Sequence, residues 1–228
     1  MNVQATAASR HLSRSGLAAA RAAQWLTIAS AIYISAWIVG LFVAPAAPAN
    51  DAAASTIHAY YLDHAAASFN QSLLLHGLAG IALVGLAWVL PKAAHASMSG
   101  TLAVRWFGYL AAVVSFAQVG VAVFATHNVD GTSAVTSRTF FQAINTLDAV
   151  KLVFLAGFVV TATVVAHRAG MAPKWMRILA PVLALLLPIG GAEFITGNVV
   201  LAAALDVSLL GLLLWAAGCA TVVARRAH

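Results

Sequence analysis

The sequence predicts an all-α fold, a single polytopic bundle of six transmembrane helices with both termini in the cytoplasm. Three observations predict it. The chain is 62% apolar and only 8% charged, where a soluble domain carries about 25% charge. Its apolar residues collect into six runs long enough to cross a hydrocarbon core, which takes about 20 helical residues. Its charges are also segregated: ten of the 12 Lys and Arg lie in segments that alternate connection would put on one side, and all six Asp and Glu lie in or toward the other. Ala, Leu and Gly dominate the runs and no polar/apolar alternation of a barrel appears, so helices are the only spanning element available.

The elements follow in order. Residues 1–23 form a basic cytoplasmic arm carrying Arg10, Arg14 and Arg21, ahead of a first span at 24–44. Ala-Pro-Ala-Ala-Pro-Ala follows that span and has the small-residue spacing of a signal-peptide cleavage site. An apolar stretch of about 20 residues is longer than such a signal uses, which favours an uncleaved helix. An Ala/Pro-rich connection leads to an outer helix at 55–69, with Ser55 as its cap. Its Ile57, Tyr60, Tyr61 and Ala65 share a face that would lie on the membrane or roof the bundle.

The second span, 71–90, and the third, 102–126, are joined by a segment marked by Lys92 and Arg105. Asp130 and Arg138 separate the third from the fourth, 140–167. Ala169-Gly170 ends the fourth, and Pro173 starts the fifth, 175–195, with Lys174 and Trp175 as interface anchors. Pro188-Ile-Gly-Gly191 should weaken the outer end of the fifth. Thr196-Gly197-Asn198 turns the chain into the sixth span, 199–224. Residues 225–228, with Arg225 and Arg226, form a cytoplasmic tail. Spans 24–224 make one domain, and the positive-inside rule fixes its orientation.

A net charge of +6 and a basic pI do not indicate nucleic acid, because the cations are short caps between apolar runs and form no continuous patch. The lone Cys219 excludes an intramolecular disulfide. The expected partners are the lipid bilayer, a small-molecule or ion ligand, and a second subunit of unstated kind.

Chemistry should reside in the ionisable groups inside the spans, each costing roughly 2.5 to 3.5 kcal/mol to insert and therefore expected to face the bundle interior with a partner. At about 1.5 Å per residue, His76, Gln118, Asp148 and Asp206 fall in one layer roughly 8 to 14 Å below the outer boundary, with Lys151 slightly deeper. Asn145 begins the same polar stretch of the fourth span. Glu193, His127, Asn198, Asn70 and Gln71 sit higher. Together they describe an outward polar vestibule over a charged floor, while the cytoplasmic half is nearly pure Ala, Val, Leu and Gly. Asp148 and Lys151, three apart, can pair with each other and merely neutralise insertion. Alternatively Lys151 is held between Asp148 and Asp206.

His76 and His127 are weak metal candidates, since no His-x-x-x-His or Glu-x-x-His pair stands on any span; no metal and no cofactor are predicted. Ser72 and His76, at i and i+4, resemble the first motif of the seven-helix zinc amidohydrolases, whose C-terminal His pair and seventh helix are missing here. Lys151 is similar in kind to the retinal lysine of rhodopsins, yet it stands in the fourth span instead of the seventh. A further resemblance covers Ser55 to Arg168 and on to Leu179. An outer Tyr-Tyr-Leu-Asp helix, the Asn145-to-Lys151 polar start and the Ala-Gly-Met-Ala-Pro-Lys-Trp-Met link resemble an uncharacterised bacterial family of six-helix integral membrane proteins with a domain of unknown function. That resemblance implies an architecture in the bacterial cytoplasmic membrane and no activity.

Three classes of function use these residues. The first is binding of a small molecule or ion in the vestibule, proton-linked in its most active form. The second is a non-catalytic membrane subunit in which the polar layer is interhelical glue. The third is a membrane-embedded acid–base enzyme in which His76 or Asp206 delivers a proton to a lipid-soluble substrate among Phe140, Phe141 and Phe154.

Overall fold

A computed structural model describes residues 3–224, and side chains from 20 to 221. Arg10, Arg14, Arg225 and Arg226 lie outside the described side chains. Among the described residues the chain is helical throughout and contains no strand. Six helices are long and apolar enough to span a membrane. We label them α1 (Val3–Val43), α2 (Ala54–Ala93), α3 (Met98–His127), α4 (Ala134–Arg168), α5 (Lys174–Gly191) and α6 (Val199–Ala224).

Each helix packs on its neighbours in sequence, and α1 also packs on α6, which closes the bundle into a ring. Short connections make successive helices antiparallel. Arg21, Lys92, Arg105, Arg168, Lys174 and Arg177 therefore share one end, the basic end, and Asp51, Asp63 and Asp130 share the other. Buried alanines line the contacts (Ala36, Ala82, Ala87, Ala111, Ala112, Ala156, Ala162), as expected where dispersion at close approach, not a hydrophobic force, holds helices together in lipid. Among larger side chains, Phe158 meets Trp215 edge-on at 5.5 Å. Trp215 donates its indole N–H to Thr163 at 2.8 Å, which satisfies a donor that lipid could not. α4 is the most buried span and carries the polar residues of interest.

The helix ends have local causes. Ser97 and Ser133 accept the Gly100 and Thr136 amides and cap α3 and α4. Gly170, at φ +70°, ends α4 in a left-handed turn whose amides return to His167 and Ala166. At Pro188-Ile-Gly-Gly191 the helix stops and restarts as the short turn Glu193–Thr196. Gly190 is required by close approach: a Cβ there would stand 2.6 Å from the Leu205 Cα on α6.

One difference from the sequence reading bears on the site. The outer helix and the second span run on as a single α2, begun at Ala53 without a side-chain cap, so that Ser55 lies inside the first turn. No Gly or Pro interrupts residues 55–76, and the polar Asn70-Gln71 pair is compatible with a helix. Two irregularities bend it. His64 departs from helical geometry, and its Nδ1 donates to the Tyr60 carbonyl at 3.1 Å. Leu73–Leu78 is π-helical. The outer half of α2 consequently leans over α3 and α4, burying Ile57 and Tyr61 with Ala125, Val129 and Phe141 as a roof.

Candidate functional site

Three helices bring polar side chains to one buried point, and a fourth adds an aromatic ring. Asp148 and Lys151 rise from α4 at i, i+3, on neighbouring faces of the same turn. Gln118 comes from α3, and His76 from the π-helical turn of α2. A π turn inserts an extra residue, shifts the side-chain register and is often found at functional positions; here it accompanies the inward aim of His76. The Trp37 ring of α1 lies 5.8 Å from the Lys151 ammonium, within cation–π range.

An ammonium has three N–H donors and no acceptor, and all three of Lys151's are used. They go to Asp148 Oδ1 at 2.5 Å, His76 Nδ1 at 3.0 Å and Gln118 Oε1 at 3.1 Å. Gln118, fully buried, is fixed by its other end, whose Nε2 donates to the Ile144 carbonyl at 3.2 Å. Because Lys151 donates, His76 Nδ1 accepts, and the imidazole carries its proton on Nε2. The charges of Lys151 and Asp148 cancel, so the cluster is electrically neutral and hydrogen-bonded, the condition for tolerating ions at this depth.

Above the cluster, toward the acidic end, lies a cavity of about 90 Å³. His76 forms part of its wall, with Ser68, Ser72, Tyr61 and Asn145. Ser68, Ser72 and His76 follow at i, i+4 and i+8 and form one stripe along α2. The Ser68 and Ser72 hydroxyls are buried and have no partner among the described residues. Serine and threonine in helices ordinarily donate to the carbonyl four residues back, as Ser115 and Thr126 do here. His76 lines the same cavity while its Nδ1 accepts from Lys151. A second recess of about 250 Å³ adjoins on the acidic side, with Asn50 and Asn145 in its wall. Asn145 borders both spaces and donates to the Asn50 side chain, while Asn50 donates to the Glu193 carbonyl at 3.1 Å. Below the cluster, Lys151 also borders a space of about 10 Å³ beside Tyr33 and Trp37.

The structure thus joins His76, Gln118, Asp148 and Lys151, and sets Asn145 one turn above them. Asp206 is not among them. It is exposed on α6, where its charge acts on Glu193, while the ion pair of Lys151 is with Asp148. Lys151 is therefore not shared between Asp148 and Asp206: α6 presents that face outward, and its inward residues at this level are Leu205 and Ser208. Glu193 contributes a backbone carbonyl to the Asn50 contact and leaves its side chain half-buried near Asp206. His127 stacks edge-on against Phe69 at 4.8 Å, and its Nδ1 lies 3.2 Å from the Thr126 hydroxyl. No group of three or more His, Cys, Asp or Glu residues among the described residues is placed to hold a metal ion. Gln71 ties α2 to α1 by donating to the Gly40 carbonyl at 3.1 Å.

Sequence reasoning missed Ser68, Asn50 and Trp37. The i, i+4, i+8 spacing of Ser68, Ser72 and His76 was the available signal for the first. Nothing in the Ala/Pro-rich connection distinguishes Asn50, whose role depends on where that connection folds back. Comparison with known proteins finds no matching family model, no matching curated protein and no matching solved structure.

Proposed function

We propose that this multi-pass membrane protein binds a small polar molecule or ion in the cavity above Lys151, entered from the acidic end through the recess beside Asn50 and Asn145. One observation carries the reading: two buried hydroxyls without a partner among the described residues, those of Ser68 and Ser72, stand along the face of α2 that lines that cavity, with His76 in the same wall. A buried polar group left unsatisfied costs about 1 to 3 kcal/mol, so the pair of hydroxyls is expensive unless something polar engages it. The volume suits an occupant of a few heavy atoms and is too small for a lipid. Below it, the fixed ion cluster and the apolar basic half close the way through. The positive-inside rule turns the acidic end outward, in the cytoplasmic membrane of a bacterium.

In its most active form the proposed binding is proton-linked, through His76. An imidazole that takes a proton at Nδ1 can no longer accept from Lys151, so protonation of His76 would break a contact of the cluster and alter the cavity wall. The glue reading is favoured by a different observation, the complete satisfaction of the Lys151 ammonium. Mass spectrometry of protein extracted without denaturation separates the two. The wild type should carry a bound species that the Ser68→Ala/Ser72→Ala variant loses while remaining folded and monodisperse. An unliganded wild type, or equal retention by the variant, would leave the polar layer as interhelical glue.

A further inference from the structure

At the basic end, away from the ion cluster, α4 and α5 leave a groove of about 390 Å³ in the side of the bundle. Its walls are apolar (Val160, Val164, Ala180, Pro181), and its mouth carries His167 and Arg177. Both mouth side chains are exposed and form no hydrogen bond or ion pair among the described residues. Arg168 and Lys174, also exposed, flank the turn that joins the two helices. The sequence has no carboxylate between Asp148 and Glu193, so α4 and α5 offer these cations no counter-charge. From the mouth, the groove runs along α4 for seven residues, or about 10 Å at 1.5 Å each, into the apolar zone. Trp175, partly exposed in the first turn of α5, is the kind of residue that anchors at the headgroup level.

We propose that this groove is a binding site for an anionic phospholipid. The phosphate engages the Arg177 guanidinium and the His167 imidazole, and the first carbons of an acyl chain lie against Val160, Val164, Ala180 and Pro181. The two halves of the groove require an amphiphile. A free anion would leave the apolar wall unused, and a zwitterionic lipid would bring a cation back to a mouth that already has several. Arginine suits the headgroup because its planar fork binds two phosphate oxygens at once.

The test uses the full-length protein in detergent, titrated with phosphatidylglycerol, with phosphatidylcholine of the same chains, and with inorganic phosphate, and read by lipid adducts in native mass spectrometry. Phosphatidylglycerol should bind preferentially. Arg177→Gln should weaken it about five-fold, the worth of one cation near an anionic headgroup, and Arg177→Gln/His167→Gln should weaken it further. Val164→Phe, which fills the groove from an exposed position, should displace the lipid with all charges intact. Lys92→Gln, at the same end but outside the groove, should have no effect. The proposal is overturned if phosphatidylcholine binds equally, if inorganic phosphate competes with the lipid, if Lys92→Gln matches Arg177→Gln, or if Val164→Phe binds as the wild type does.

Discussion

Replacing Lys151 by Met tests the centre of the structure, because it removes the one cation from a buried cluster while nearly keeping its volume. Lys151 is 2% exposed, so water cannot take its place without opening the bundle. Three contacts are lost together, to Asp148, His76 and Gln118. The two neutral partners matter little, since hydrogen bonds between membrane helices contribute about 0.6 kcal/mol each when the unfolded reference also lies in lipid. The ion pair dominates: removing one partner of a buried pair costs about 3 to 5 kcal/mol, because the remaining charge is left uncompensated. Lys151→Met should therefore lower folded yield and melting temperature markedly, whereas Lys151→Met/Asp148→Asn should recover most of the loss, a coupling that a double-mutant cycle isolates. Asp206→Asn serves as the control and should couple to neither, because Asp206 is exposed on another helix. The assay is thermal unfolding in detergent alongside monodisperse yield. A single variant within about 0.5 kcal/mol of the wild type, the range of ordinary surface substitutions, would refute the buried-cluster argument; coupling of Lys151 to Asp206 would restore the partner that the structure rejects.

Two further outcomes follow from packing and orientation. Gly190→Val should destabilise by about 1 to 3 kcal/mol in the same unfolding assay, since its Cβ would meet α6 backbone, not a movable side chain; Gly131→Ala, where nothing lies within 4 Å, should be tolerated. Reporter fusions after Gly170 should read cytoplasmic and those after Gly131 external; the opposite pattern would invert the proposed direction of ligand entry.

The architecture was legible in the sequence because lipid imposes a rule that needs no tertiary information: each backbone donor must be satisfied within its own segment, so apolar runs of sufficient length become helices. The layer of polar groups was half legible. Depth along a helix can be counted, and His76, Gln118 and Asp148 do meet beside Lys151. Azimuth cannot be counted in the same way. Asp206 shares their depth, yet α6 turns it outward. Direction around the axis depends on neighbours, and on α6 it is set by the contact of Gly190 with Leu205 and by Trp215 against Phe158.

Sequence by itself therefore determined the class, the number of helices and the segregation of charge, all of which follow from transfer energies summed over single segments. Tertiary structure alone decided which polar residues meet. It aimed His76 inward from a π-helical turn within a kinked α2, ran Ser68 and Ser72 along the same cavity, and brought Asn50 from a featureless connection to Asn145. Those outcomes depend on register, bend and rotation, which are fixed only when several helices pack at once, and no single segment carries them.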